Sequence, residues 1–403
     1  MAQIKQTLPK DWRWVKLIDV CEITGGNSAP QGNEYFDGGK MPFVRMKDLG
    51  RYHFTNDLKE TDDKLTESAI QKYRMKIFEP GCILFPRSGS VALNHRAILG
   101  VQACIVSHIG VLHKFSNTVD AQFLYYFLKT YDMTGLSKKT TGVDSIAFSD
   151  VAKIIIPLPP LDEQKRIASR LDEQMRHIEQ ARQAAEESLS AAWELPSKYL
   201  REVFDNDIAN TGAKIRLGDI LNLRKEVIHP YDSPKGPAVF VGLEHIEANS
   251  GIRVGSVRVE MSKLTGRKPK FYKGDIVYGY LRPYLNKVWI AEFDGLCSVD
   301  QYVYNIDDSK ADIDFVAWFM RSPVYLERAP INTTPGQLPR IRTEEVASVL
   351  INLPLLEEQK RISLQISEQH NTVNKLMASL ESQLAEINGL PSALLRQAFA
   401  GEL

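Results

Sequence analysis

One segment of this chain occurs twice. Residues 159–167 read PPLDEQKRI and residues 354–362 read PLLEEQKRI, an offset of 195. The same offset aligns LPSKYLREVF (195–204) with LPSALLRQAF (390–399) without a gap. Repetition at domain spacing constrains a fold strongly, because each copy must build the same unit. Fainter echoes fill the intervals: residues 14–20 resemble 215–220, 42–49 resemble 239–246, 79–85 resemble 272–278, and 120–127 resemble 312–319. The offset drifts between 192 and 200, as it does when loops change length and elements do not. The chain therefore reads as a variable module and a more constant module, each present twice.

The constant module reads as a long helix. Leu171, Ile178, Ala185 and Ala192 recur every seven residues, with Met175 and Leu189 at the intermediate positions. In the second copy the series is Ile366, Val373, Leu380 and Ile387, with Met377 and Leu384 between. This is an a/d seam over about four heptads, which a partner helix has to cover. Arg182 and His370 interrupt the seam, one in each copy. Each helix is expected to start after its proline-rich run and to stop near Pro196 or Pro391, since proline disrupts a helix interior. A short amphipathic helix, 197–204 or 392–399, would follow. The two seams are each other's obvious partners, and pseudo-two-fold symmetry makes the pair antiparallel; two helices packed on their own domains is the competing arrangement. Residues 161–194 at 1.5 Å per residue make a rod of roughly 50 Å.

The variable modules read as mixed α/β. Strands are expected at 83–85, 103–106, 276–278, 287–291 and 302–306, and amphipathic helices at 120–131 and 312–321. The expected fold class is α+β: two mixed α/β domains separated by a pair of long antiparallel helices (a coiled coil), with a pseudo-two-fold internal repeat. The expected boundaries are 1–153 and 214–348 for the variable domains, 154–204 and 349–403 for the helical segments, and 205–213 for a linker.

Charge argues neither for nor against a nucleic-acid partner. The 50 Lys+Arg balance the 50 Asp+Glu, although residues 1–153 carry 20 basic against 16 acidic side chains, a local excess of the kind that phosphates attract. Cys21, Cys82, Cys104 and Cys297 form neither a disulfide framework nor a metal spacing. Without an apolar leader or a run of about 18 apolar residues, the expectation is a soluble, reduced, cytoplasmic protein with no membrane role. Catalytic signatures are missing too. There is no GxxxxGK[ST] phosphate loop and no H-E-x-x-H pair, and Gly25-Gly26 and Gly38-Gly39 sit in polar loops rather than at strand-to-helix junctions. Asp62-Asp63 lies in a charged run typical of a solvated face. The pattern points to a binding protein and not to an enzyme.

A duplicated, proline-led PLPPLDEQKRI (residues 157–167) and its second copy at 353–362 closely resemble the specificity subunits of type I restriction–modification enzymes. The likeness spans the whole chain, variable and constant modules alternating, and the second copy departs at Leu355, where the first has Pro160. The resemblance implies that each variable module is a target recognition domain reading one half of an asymmetric, bipartite double-stranded DNA site. It implies a helical spacer that fixes the distance between the halves and docks two modification subunits. It also implies that restriction (translocase and nuclease) subunits join the same assembly. No cofactor is expected on this chain; S-adenosylmethionine, ATP and Mg would belong to the partner subunits.

Base edges and phosphates are reached by Arg, Lys, Asn, Gln, Ser and Thr on exposed loops. In the first module the loop 86–96 offers Arg87, Ser88, Ser90, Asn94 and Arg96, and the segment 137–142 offers Lys138, Lys139, Thr140 and Thr141. In the second module the corresponding loop 278–287 offers Tyr280, Arg282, Asn286 and Lys287, and 332–340 offers Thr333, Thr334, Gln337 and Arg340. Residues 266–270 add Arg267, Lys268 and Lys270. An ordinary solvated turn is the alternative for each loop, and a tyrosine packed in the core is the alternative for Tyr278. The two sets differ, so the half-sites should differ in sequence. Leu200 and Phe204, with Leu395 and Phe399 in the second copy, are the expected apolar anchors for partner subunits. The rival function is a coiled-coil scaffold whose modules bind protein; DNA affinity that falls steeply with salt separates the two.

Overall fold

The structure, a computed structural model, describes residues 11–52, 57–140, 143–205, 212–331 and 338–400, with only the backbone given at Lys139, Thr140 and Val143. It divides into two compact units, Met1–Glu187 with Ser382–Leu403, and Ser188–Glu381.

The first unit is organised by the strand Ile83–Pro86, buried at all four positions. It lies within a five-stranded sheet that runs Glu22–Gly25, Ile109–His113, Ile83–Pro86, Ala97–Leu99, Asp57–Leu58. Side chains alternate across a strand. Ile83 and Phe85 therefore join a core with Leu112 and the helix Ala121–Thr130, while Leu84 turns to a second core with Phe43, Leu99 and Cys104. That second core is completed by a four-stranded sheet running Asp63–Leu65, Met41–Val44, Ala103–Ile105, Ile77–Phe78. A strand buried on both faces needs a continuous apolar run, and CILF (82–85) supplies it.

The second unit repeats this design. Its central strand Ile276–Gly279 sends Ile276 and Tyr278 into a core with the helix Ile313–Arg321, and Val277 into another with Phe271, Trp289 and Cys297. The expected strands and both amphipathic helices are present within one or two residues of their expected ends. In each unit a strand preceding the long helix closes back on the module's first strand: Ile155–Leu158 pairs antiparallel with Arg13–Lys16, and Leu350–Leu353 with Ala213–Arg216. These segments are built into the modules they follow.

The long helices depart from expectation in one respect. They span Leu161–Asp205 and Leu356–Ala400, 45 residues each, and run straight through Pro196 and Pro391. An interior proline costs about 3 kcal/mol, but the stretch beyond it buries Leu200 and Phe204 in one copy and Leu395 in the other. In the first copy, full burial of two large apolar side chains returns about 3–6 kcal/mol, which offsets the proline; in the second, Leu395 and Ala398 are buried and Phe399 half-buried, which offsets it in the same way. The separate short helix expected after each proline is therefore the last turns of the long one.

Burial along the helices follows the heptad. In the first, Leu171, Met175, Ile178, Arg182, Ala185, Leu189 and Ala192 are buried or half-buried between exposed neighbours; in the second, Ile366, His370, Val373, Met377, Leu380, Leu384 and Ile387 are. Within the first unit, Ile167, Leu171 and Met175 near the start of one helix share a core with Leu395 and Ala398 near the end of the other. Within the second unit, Leu200 and Phe204 share a core with Ile362 and Ile366. Start meets end in both, so the helices are antiparallel. Among the described residues no helix is long and apolar enough to cross a membrane.

Candidate nucleic-acid interface

In the first unit the two loops singled out from the sequence are neighbours. The loop after Ile83–Pro86 hydrogen-bonds to the hairpin Ser137–Thr140/Val143–Ile146: Gly89 N donates to Asp144 O (3.0 Å) and Ile146 N to Arg87 O (2.8 Å), with Ser88 bridging to Ser145. A third segment joins them, because the backbone N–H groups of Arg87 and Ser88 both donate to His108 O (2.8 and 3.2 Å). The Ser88 hydroxyl lies 2.7 Å from His108 Nδ1. The Arg87 guanidinium stacks on Phe148, 4.6 Å from the ring centre. Lys138 pairs with Asp150 at 2.9 Å while its side chain stays 73% exposed. That bond, with a second from Lys153, holds the Asp150 carboxyl below the ordinary range. An exposed pair of this kind contributes little stability, which leaves the ammonium available to an external anion.

The second unit builds the same junction with different side chains. Arg282 N donates to Pro339 O (2.7 Å), Ile341 N donates to Tyr280 O (3.2 Å), and Leu281 bridges to Arg340. Position by position, Tyr280 stands where the first unit has Arg87, Leu281 where it has Ser88, Arg282 where it has Gly89, and Arg340 where it has Ser145. Tyr280 stacks on Tyr302 with ring centres 4.3 Å apart and planes at 21°. Arg267 and Arg340 lie close enough to act on the Tyr280 hydroxyl electrostatically. Burial raises the Tyr280 hydroxyl and pushes Tyr302, which also faces Tyr280, up to about 12; both are neutral donors at pH 7. Arg267, Arg282 and Arg340 are all exposed.

Other expected contacts are structural. Arg96 is only 1% exposed, and donates to His95 O (2.6 Å) and Asn94 Oδ1 (2.7 Å), so it is part of the interior and out of reach of a groove. Burial drops its guanidinium to about 10, still charged at neutral pH. Asn94 and Asn286 cap equivalent 3-10 turns, Val91–Leu93 and Pro283–Leu285, in the left-handed conformation that asparagine tolerates (φ 48° in both). Asn94 donates to Tyr131 O (3.4 Å), and Asn286, 1% exposed, to Arg321 O (2.6 Å). They shape the loops and do not present an amide to a ligand. Lys287 donates to Leu243 O (2.6 Å), Lys268 lies over the Phe240 ring, and Lys270 lies over Tyr272 beside Glu226. Ser90 is half-buried at the start of its turn. Thr141, Thr333, Thr334 and Gln337 lie outside the described residues, as do the side chains of Lys139 and Thr140. Tyr302, His108 and Ser145 were missed. Tyr302 carries a weak signal as an aromatic residue in an alternating strand, whereas His108 and Ser145 join the site only through long-range backbone pairing.

The expected docking anchors are used inside the chain. Phe204 packs edge-on against Phe315 and Phe319, each at 5.4 Å, and Phe399 packs likewise against Phe123 and Phe127. Leu200 and Leu395 are each 4% exposed. Three of these residues are buried and Phe399 is half-buried, so they fasten each long helix to a module.

Comparisons with known proteins agree with this architecture. Residues 9–187 match the profile of the type I restriction modification DNA specificity domain. The chain is 23% identical over 441 residues to the type I restriction enzyme EcoDI specificity subunit of Escherichia coli, covering 98% of this chain and 89% of that one. It is 27% identical over 265 residues to the MjaIX specificity subunit of Methanocaldococcus jannaschii, covering 59% of each. Among solved structures, a chain from a type I R-M system superimposes with a TM-score of 0.77 at 20% identity, covering 98% of this chain and all of that one. The HsdS subunit of Thermoanaerobacter tengcongensis superimposes with a TM-score of 0.62 at 19% identity over the full length of both. At these identities the superpositions speak to fold. The duplicated modules, the paired long helices and the specificity-domain match over residues 9–187 together make the chain similar, across its length, to the specificity subunits of type I restriction enzymes.

Proposed function

We propose that each module reads one half of an asymmetric, bipartite double-stranded DNA site through its loop junction. The observation that carries this reading is the repeated junction: the same backbone hydrogen bonds present Arg87, Ser88 and Gly89 in one module and Tyr280, Leu281 and Arg282 in the other. An invariant frame with exchanged side chains is what two different half-sites require. Arg87 and Lys138 supply the cationic groups of the first half, and Arg267, Arg282 and Arg340 those of the second. Arginine is suited to guanine O6 and N7 or to phosphate, and the neutral Tyr280 hydroxyl can donate to either, while Tyr302 donates its hydroxyl to Ile341 O (3.3 Å) and backs the Tyr280 ring.

In this reading the chain does no chemistry. Two modification subunits bring S-adenosylmethionine and methylate adenine, and restriction subunits bring ATP- and Mg-dependent translocation and cleavage. The long helices act as the ruler between half-sites. Sequencing adenine methylation in cells with and without the gene tests the proposal. The expected outcome is one bipartite motif, methylated only when the gene is present; an unchanged methylome in cells that express the partner subunits would refute it.

A further inference from the structure

Among the described residues each constant segment holds one fully buried glutamine, and DNA reading does not use it. Gln164 has no exposed surface. Its Oε1 accepts from Asp120 N (2.8 Å), and its Nε2 donates to Thr118 O (2.9 Å) and Pro159 O (2.8 Å). Gln359, equally buried, repeats the pattern: Oε1 accepts from Asp312 N (2.8 Å), and Nε2 donates to Pro354 O (2.8 Å) and Lys310 O (3.4 Å).

The partners of each glutamine belong to two different elements. Asp120 and Asp312 cap the helices Ala121–Thr130 and Ile313–Arg321, accepting from Phe123 N and Phe315 N at 2.9 Å. Pro159 and Pro354 lie in the runs that open the long helices. A single buried side chain therefore ties the start of the module's helix to the first turn of the long helix. Further bonds lie along the same joint. In the first unit Tyr126 and Gln122 both donate to Asp172 (2.5 and 2.7 Å). In the second, Trp318 Nε1 donates to Ser367 (3.3 Å) and Ser363 to Asp312 (2.8 Å).

We propose that Gln164 and Gln359 are positioning residues: they fix the angle between each recognition module and its long helix, and so select the gap between half-sites that the chain accepts. This rests on the DNA reading proposed above. The chemistry demands an amide at this place. One acceptor faces an N–H and two donors face carbonyls, and glutamate would turn a carboxylate oxygen towards those carbonyls. Leverage supplies the sensitivity. A rotation of about 5° at the first turn of a 45-residue helix, roughly 68 Å long, moves its far end by roughly 6 Å, more than the rise of one base pair.

The test uses the full-length chain and two duplex libraries. One holds the wild-type half-sites at gaps from two base pairs shorter to two longer than the native gap; the other holds the native gap with randomised half-sites. Gln164→Met and Gln359→Met keep side-chain length and remove the bonds. Leu84→Ala, buried in the first module's other core with no long-helix residue, is the control for general destabilisation. Each methionine variant is expected to lower preference for the native gap over its neighbours about fivefold, the factor set by the net worth of one hydrogen bond. The bases selected should not change, and Leu84→Ala should keep the wild-type gap profile. If Gln164→Met does not fold, Tyr126→Phe, a milder lesion of the same joint, is expected to broaden the gap in the same sense. An unaltered gap profile in folded joint variants, altered bases, or equal broadening by Leu84→Ala would overturn the proposal. A wild-type chain that selects no paired half-sites would overturn the underlying DNA reading, and this assignment with it.

Discussion

Gly89 and Arg282 occupy the same backbone position in the two modules, each donating its N–H to the neighbouring loop, at φ +85° and +53°. Glycine enters this left-handed region freely, whereas an L-residue with a long side chain pays roughly 1–2 kcal/mol. An exposed arginine held at such a position suggests that its side chain is used. Arg282→Gly should therefore raise the stability of the second unit by up to about 1 kcal/mol in urea unfolding. It should weaken selection in one half-site only, by about 1–3 kcal/mol if Arg282 contacts guanine bidentately. Equal loss on every sequence would make it a phosphate contact instead.

The aromatic clamps at the helix ends should behave as core. Phe204→Ala is expected to cost about 3–4 kcal/mol, lowering the calorimetric transition of the second unit. Phe399→Ala should lower that of the first unit by less, because Phe399 is only half-buried. If either variant unfolds like the wild type and loses only a partner subunit, the side chain is an anchor after all.

The second unit should weaken in mild acid. His370 replaces, in the second helix, the seam residue Met175 of the first. Its imidazole stands below the ordinary histidine range because burial disfavours the charged ring and Arg321 repels it, against a smaller attraction from Glu247. The unfolded chain takes up a proton near pH 6.5 while the folded ring stays neutral, so its contribution is intact above that pH and is lost as pH falls below it. Asn374, 3.1 Å away, can donate to the neutral ring. His370→Met should shrink the drop in melting temperature between pH 7.5 and 5.5; an equal drop in both proteins would exclude His370 as the cause.

Lengthening both helices should move the half-sites apart without changing the bases read. Seven residues inserted after Ile178 and seven after Val373 preserve both heptad seams and add about 10 Å, or about 3 bp of B-DNA. Selection from duplexes with random gaps should recover the same half-sites at a longer gap. Recovery of the original gap would mean that the helices are not the ruler.

The sequence by itself determined the duplication, the alternation of strand and helix within each module, the heptad seam and the loops of the candidate interface. All are local patterns: a period of two or of three and a half, a glycine before a strand, a repeated motif. Tertiary structure decided what those patterns touch. Arg96, Asn94 and Asn286 looked like ligand-facing polar residues, yet they are consumed by backbone groups up to 39 positions away. Proline should have ended each long helix, but the buried leucines and phenylalanine beyond it offset the missing hydrogen bond. Gln164 and Gln359 sat unread inside the very motif that revealed the repeat. Their partners lie 44 and 47 residues back along the chain, and no local period encodes a contact of that length: only the folded module brings the capped helix to the amide.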